Sequence, residues 1–187
     1  MTGPSRVTIH MAASLDGYIA RRDGSVDFLE TTDVFEAGES MDPAYVAEVL
    51  GSIDCYVMGS HTYETALGFE GKGLGWAYGD TPTFVLTSRQ LPVTRSSIEL
   101  CAGDLTELIN TRLKPVFRNI WIVGGGAVSG ACLNLGLADE VRVSLVPVLI
   151  GDGIAFCARL TRDIPLHLVE SKAYTNGMVA LRHEVRS

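Results

Sequence analysis

Two glycine turns hold the residues best placed to do chemistry. In one, Ile120, Trp121, Ile122 and Val123 form the wholly apolar run of a strand buried on both faces. Gly124, Gly125 and Gly126 follow at once. Ala127, Val128, Ala131, Cys132 and Leu135 then recur at spacings of three and four, one face of a helix. Backbone N–H groups at a helix start have no partner within the helix, and the helix dipole adds positive character there. Glycines without Cβ atoms let a phosphate come close to that backbone. The second turn has the same order: a strand over residues 54–58 (DCYVM), then Gly59, Ser60, His61 and Thr62 leading into a helix that carries Tyr63 and Leu67. Neither turn is a complete fingerprint. The G-x-G-x-x-G pattern fails at Ser129, with Gly130 one residue late, and no Lys-Ser/Thr follows the glycines as a P-loop requires. Taken alone, the first turn reads equally well as a tight strand-to-helix connection that binds nothing.

The bulk of the chain narrows the classes. Its 187 residues fit one domain able to bury about 70% of its unfolded surface. With 47% hydrophobic and 20% charged residues it has the make-up of an ordinary globular protein. A net charge of −7 argues against a nucleic-acid or anionic-membrane surface. Cys55, Cys101, Cys132 and Cys157 are far apart, lie in or beside apolar runs and show no C-x-x-C spacing. They read as buried free thiols, with no metal site implied. No apolar span approaches membrane length, and residues 1–5 (MTGPS) lack a signal peptide's apolar core, so a cytoplasmic protein with a short disordered tail at 1–5 is expected.

The remaining elements must position the two turns. Residues 7–13 (VTIHMAA) read as a first strand, in which His10 is expected to be a satisfied core histidine. Ser14, Leu15, Asp16 and Gly17 make a turn, and residues 18–20 resume extended structure. Asp42 and Pro43 start a helix as N-cap and first residue, with Tyr45, Val46, Val49 and Leu50 at helical spacing. Residues 68–82 are glycine-rich and carry Trp76 and Tyr78, predicting a loop whose exposed aromatics could cover a planar ligand. Strands follow at 83–87 and 97–101, then a helix from Asp104, with Glu107 completing a capping box, to about Leu113. After the glycine turn at 124–126 come a long strand at 140–149, with Pro147 at a bulge or edge, and a turn at 150–154. Extended segments at 166–174 and 178–185 are joined through Asn176-Gly177 as a hairpin. This alternation predicts a single α/β domain over 1–187, with a mostly parallel sheet covered on both faces and antiparallel strands at its C-terminal end.

Five of these stretches, taken together, resemble the dihydrofolate reductase superfamily, nearest to its branch containing the reductase domain of riboflavin biosynthesis. They are residues 13–20 (ASLDGYIA), 57–64 (VMGSHTYE), 85–89 (VLTSR), 122–126 (IVGGG) and 146–153 (VPVLIGDG), in the family's order. The resemblance implies a three-layer α/β/α fold with a mixed, mostly parallel sheet and a C-terminal hairpin. It implies NADPH as hydride donor. Gly124, Gly125, Gly126, Ala127 and Val128 would hold the pyrophosphate. Gly59, Ser60, His61 and Thr62 would hold the pyrophosphate and adenosine phosphate, and Leu86, Thr87 and Ser88 would take the 2′-phosphate side. Ala12, Ala13 and Ile19 would line the nicotinamide.

The chain departs from the family in two places. The family's M-G-R-x-T arginine is replaced by Ser60, which leaves His61 and Arg89 to meet the 2′-phosphate, with Arg89 the main cation and discrimination against NADH weakened. The acidic residue that true dihydrofolate reductases carry on the helix after the first strand is also missing, since that helix offers only Glu48. Asp16, in the Leu-Asp-Gly turn shared with the riboflavin-pathway reductases, becomes the candidate catalytic group. An Asp that merely shapes its turn is the alternative. The implied activity is reduction of a pyrimidine- or pterin-like heterocycle, similar to 5-amino-6-(5-phosphoribosylamino)uracil reductase, by a stand-alone reductase without a deaminase segment. Reduction of another small substrate, and non-catalytic nucleotide binding, are the alternatives. Relatives pair through the C-terminal strand edge and hairpin, so a homodimer is expected, with residues 141–150 contributing.

Overall fold

The most apolar runs of the chain lie side by side at the centre of one sheet. The computed structural model describes residues 4–186. Its first half contains β1 (Arg6–Ser14), β2 (Tyr18–Ala20), α1 (Pro43–Gly51), β3 (Cys55–Gly59), α2 (Ser60–Gly71), β4 (Thr83–Leu86) and β5 (Ile98–Cys101). The second half contains α3 (Leu105–Glu107), β6 (Asn119–Ile122), α4 (Gly126–Asn134), β7 (Glu140–Val146), β8 (Ile154–Ala155), β9 (Leu166–Ala173) and β10 (Val179–Val185). Eight strands run in the order β5-β4-β3-β6-β1-β7-β10-β9, and β2 pairs with β8 in a separate two-stranded ribbon. The first six strands are mutually parallel, β10 is antiparallel to β7, and β9 to β10. Parallel strands end on a common edge, so β1, β3, β4 and β6 deliver their C-terminal turns to one side of the molecule.

Helices cover the two faces unequally. On one face Val7, Ile9, Val57, Ile120 and Ile122 pack against Val128, Cys132 and Leu133 of α4 and against Leu105, Leu108 and Ile109. Each such aliphatic side chain contributes roughly 1.5–3 kcal/mol on burial. On the other face Tyr56, Met58, Val85 and Trp121 pack against Tyr63 of α2, together with Ile53 and Ile98. The β1–β7–β10 half of that second face is not sealed, because α1 above it buries none of its residues.

The architecture agrees with the sequence reading, with local differences that have physical causes. α2 runs on to Gly71, so the glycine-rich loop starts four residues later than its composition suggests. Trp76 and Tyr78 in that loop are not a free lid: they pack edge-on against Tyr63 and Tyr56, with ring centroids 5.9 and 4.9 Å apart. The Asp104 carboxylate caps its helix by accepting from Thr106 and Glu107 N–H, but beyond Glu107 the turns widen into a π-helix over Leu108–Leu113. β7 stops at Val146 rather than 149, since Pro147 has no N–H to donate and Val148 N–H turns back to the Val146 carbonyl at 2.7 Å. β7 is also an interior strand, so residues 141–146 cannot form a pairing edge; the edge strand on this side of the sheet is β9, which exposes Leu166, Leu168 and Val169. Of the expected tail, residues 1–3 lie outside the described residues, while Ser5 is anchored by its hydroxyl to the Phe117 carbonyl at 2.8 Å. Cys55, Cys101 and Cys132 are buried and Cys157 half-buried, all as free thiols. Among the described residues no helix is long and apolar enough to cross a membrane.

Gly130 shows how closely α4 is covered. A Cβ there would meet the Ala158 backbone at 2.9 Å from its carbonyl oxygen, whereas one at Gly68 of α2 would meet nothing within 4 Å. Gly130→Ala is therefore expected to cost about 1–3 kcal/mol, because backbone rather than a side chain must yield. Gly68→Ala is expected to gain about 0.5–1 kcal/mol of helix stability. Thermal unfolding, at about 2–4 °C per kcal/mol for a domain of this size, should move the two variants in opposite directions.

Candidate functional site

The two glycine turns meet at the C-terminal edge of the sheet. The N–H of Gly59, at the end of β3, donates to the carbonyl of Gly124 at 3.0 Å, and Val123 N–H donates to the Val57 carbonyl at 3.0 Å. Each turn fits into the other. A Cβ at Gly124, which has φ of +137°, would come within 2.7 Å of Thr62 Oγ1, and one at Gly59 would come within 3.2 Å of Val128 Cγ2. The Gly124–Gly125 peptide is cis. A Cβ at Gly126 would lie 2.1 Å from the Ala155 carbonyl oxygen, where the segment after β8 crosses α4.

What the two helix starts lack is informative. The N-caps of α2 and α4 are Gly59 and Gly125, and neither helix has a side-chain cap. The starts of α1 and α3, by contrast, are capped by the carboxylates of Asp42 and Asp104. The N–H groups of Ser60, His61 and Thr62 and of Gly126, Ala127 and Val128 thus begin helices with no acid beside them, an arrangement suited to a phosphate on each. β4 extends the edge: Leu86 pairs with Gly59 in register, and Thr87, Ser88 and Arg89 follow directly. Arg89 N–H donates to Thr87 Oγ1 at 3.0 Å, while its guanidinium forms a two-pronged pair with Glu64 at 2.6 and 2.9 Å. Residue types and cradle shape at this edge fit a dinucleotide with two separated phosphates.

On the β1 side, Ala12 is half-buried, Ala13 is fully buried among core residues, and Ile19 packs against the main core. The Ala13 side chain therefore offers a ligand no surface. Asp16 works as a clamp. Its carboxylate accepts from Ser14 Oγ at 2.6 Å, Gly151 N–H at 2.7 Å and Ile150 N–H at 3.2 Å, tying the β1–β2 turn to the 150–153 turn. The Ser14 hydroxyl and the Gly151 and Ile150 amides hold its pKa below the usual carboxylate value, against a smaller desolvation that raises it. At neutral pH it is an anion.

Beside this edge lies a cavity of about 250 Å³ between α1 and the unsealed sheet face. Tyr45, Val49 and Leu50 of α1 form its apolar wall, while His10, Arg142 and Ser144 stand on the strand side. It reaches the end of β1 because Ser144 is the register partner of Ala12, and Arg142 that of His10. Glu48 is exposed and does not line the cavity. His10 stacks edge-on against Trp121 at 4.9 Å. Burial first, and the Arg142 charge second, pull its pKa down to about 4, with Glu140 opposing. The sequence reading of a satisfied core histidine does not match: His10 is half-buried and borders the cavity. The cavity's polar side had one signal in the sequence: the alternation of residues 140–144 (EVRVS), which places Glu140, Arg142 and Ser144 on one face.

Likeness to known proteins agrees with this geometry. The profile of the RibD C-terminal domain matches residues 5–180. The chain is 30% identical to the uncharacterised protein YwjB of Bacillus subtilis strain 168, over 97% of this chain and 98% of that one. A Shewanella sp. PV-4 protein named for riboflavin biosynthesis superposes with a TM-score of 0.80 at 25% identity, over 97% of this chain and 99% of that one. A Thermotoga maritima diaminohydroxyphosphoribosylaminopyrimidine deaminase/5-amino-6-(5-phosphoribosylamino)uracil reductase superposes with a TM-score of 0.66 at 14% identity, a likeness of fold. It matches 98% of this chain to 57% of that one.

The depressed His10 pKa has a consequence for stability. Unfolded, His10 takes up a proton near pH 6.5, whereas folded it does so only near 4. Between these values the unfolded state binds the extra proton, so stability is full above pH 6.5 and falls as pH drops toward 4. His10→Asn should flatten the fall between pH 6.5 and 5, above the range in which carboxylates titrate. Urea unfolding at several pH values checks this, and parallel curves for the two proteins would contradict it.

Proposed function

The chain belongs to the RibD C-terminal domain family, and we propose from this that it is an NADPH-dependent reductase of a small pyrimidine- or pterin-like heterocycle, similar to 5-amino-6-(5-phosphoribosylamino)uracil reductase. The observation that carries the reading is the pair of acid-free helix starts interlocked beside a cavity of ring size. When bound, NADPH would supply the hydride. The protein's part is to bind, orient and exclude water. The N–H groups at 60–62 and 126–128 receive the pyrophosphate, and Leu86, Thr87, Ser88 and Arg89 take the 2′-phosphate side. Ala12 and Ile19 border the nicotinamide, and the cavity behind Ser144 places the substrate against it. Asp16, ionised, serves as a positioning residue that keeps the 150–153 turn against the end of β1. The protein works in the cytoplasm as a homodimer paired through the C-terminal strands, where β9 leaves an apolar edge free.

The direct test is NADPH oxidation, followed by absorbance, with the ribosylaminopyrimidinone substrate and a panel of pyrimidines and pterins. Turnover is expected from wild type on at least one pyrimidine or pterin of the panel. Asp16→Asn should lose most of it, while NADPH still quenches tryptophan fluorescence with unchanged affinity. Binding of NADPH without turnover on any substrate would leave only a nucleotide-binding role.

Cofactor choice should depend on the Arg89–Glu64 pair. A charge-assisted contact of Arg89 with the 2′-phosphate is worth about 1.5–3 kcal/mol, or roughly one to two decades of affinity. Arg89→Ala is therefore expected to weaken NADPH by that factor and leave NADH unchanged. Glu64→Gln, which frees the guanidinium from its competitor, should tighten NADPH alone. An unchanged NADPH/NADH ratio of dissociation constants in Arg89→Ala removes Arg89 from the site.

A further inference from the structure

The strand side of the cavity is built in three rungs, each set by register across β1, β7 and β10. Ala12, Ser144 and Ala180 form the rung nearest the cofactor edge; His10, Arg142 and Arg182 form the next; Thr8, Glu140 and Glu184 form the third. Residues two apart on one face of a strand are separated by about 6.5–7 Å. The arginine rung therefore stands about one six-membered ring, with its substituent, away from the rung that borders the nicotinamide.

The third rung holds the second in place. The Glu140 side chain has no exposed surface. It accepts from Nε of Arg142 and from Nε of Arg182, the latter at 2.8 Å, and Arg6 lies 3.0 Å from its second oxygen. Burial alone would raise the carboxyl's pKa; the hydrogen bonds of Arg182 and Arg142 more than offset it and keep the group ionised. Only Nε of each cavity arginine is used in this way. Among the described residues the terminal amino groups of Arg142 and Arg182 have no hydrogen-bond partner, and both residues line the cavity. Arg142 also lies over the Trp121 ring at 5.4 Å. Arg6 is shared between Glu140 and Glu184, so the cluster of three arginines and two glutamates carries one net positive charge. Lys172, the other cation on the cavity, is shared between Glu170 at 3.4 Å and Glu39 at 3.9 Å, and Glu170 is also the register partner of Arg182.

We propose that Arg142 and Arg182 are the specificity-determining residues of the substrate pocket, and that its substrate is a single conjugated ring bearing a carboxylate on the edge away from the nicotinamide. This rests on the reductase reading above and narrows its substrate class. Planar guanidinium forks match a carboxylate's two oxygens, and the terminal amino groups of both arginines are free to receive them. A ribosyl phosphate would carry its anion a sugar's length beyond the arginine rung.

The test titrates orotate, uracil and uridine 5′-monophosphate into the full-length protein, both alone and saturated with NADP⁺, by calorimetry. Orotate should bind tighter than uracil by roughly tenfold or more, the scale of a charge-assisted hydrogen bond, and tighter than uridine 5′-monophosphate. The double variant Arg142→Gln/Glu140→Gln, which removes a cation and its buried anion together, should lose the preference while its NADPH affinity stays unchanged. Equal binding of orotate and uracil, tighter binding of the phosphate, or no saturable orotate signal would each overturn the proposal on wild-type protein alone. Failure of NADPH to bind while the orotate preference persists would instead remove the reductase reading and leave the carboxylate pocket standing.

Discussion

Close approach at the glycine turns is the constraint on which the C-terminal edge of the sheet depends. At Gly126 there is no room for even a methyl group beneath the Ala155 carbonyl, and at Gly124 Thr62 occupies the space a side chain would take. Parallel β3 and β6 already place the starts of α2 and α4 on one edge, and the Gly124–Thr62 contact lets them interlock there. The same closeness leaves no place for the usual cap. Asp42 and Asp104 satisfy the starts of α1 and α3 with carboxylates. A carboxylate at either glycine turn would add a negative charge to helix starts that now carry none. The local loss of side-chain capping, only roughly a few tenths of a kcal/mol at a glycine N-cap, is thus tied to what the edge can bind.

The opposite end of the site depends on a buried charge. Glu140 lies in the middle of the sheet face, without contact with water, and three arginines converge on it. A carboxylate in that position would be strongly unfavourable alone, and clusters of this kind add little net stability over apolar packing. What this one secures is geometry. It pins two guanidiniums by their Nε atoms at the floor of a cavity, one rung from Ser144. The cavity exists because α1 presents Tyr45, Val49 and Leu50 over this half-face without sinking any of them into the sheet. Were α1 packed as α2 is, the arginines would lose their access to a ligand.

Much of this was legible in the chain. The apolar runs at residues 55–58 and 120–123 define strands buried on both faces, and glycine immediately after each marks the turn into a helix. Asp42-Pro43 and Asp104 define helix starts because their carboxylates satisfy amides within three residues, a purely local matter. Local rules miss where distant segments decide the outcome. Composition makes residues 68–82 a loop with free aromatics, but Trp76 and Tyr78 are held by Tyr63 and Tyr56 across the fold. The Asp16 turn is recognisable from its own residues, whereas the amides that occupy its carboxylate come from Ile150 and Gly151, more than 130 positions later in the chain.

The sequence by itself determined the α/β class, the order of strands and helices, and the two glycine turns as places where a phosphate can meet bare backbone. Those features rest on periodicity, capping and steric freedom, which act within a few residues. Only the tertiary structure decided that the turns interlock, that Arg89 is already paired with Glu64, and that His10, Arg142 and Arg182 stand in one rung beside a cavity. Each of those depends on strand register and on which half of a sheet face a helix leaves open. Registers across β1, β7 and β10 join residues 10, 142 and 182, and no local pattern in the chain encodes a contact over such separations.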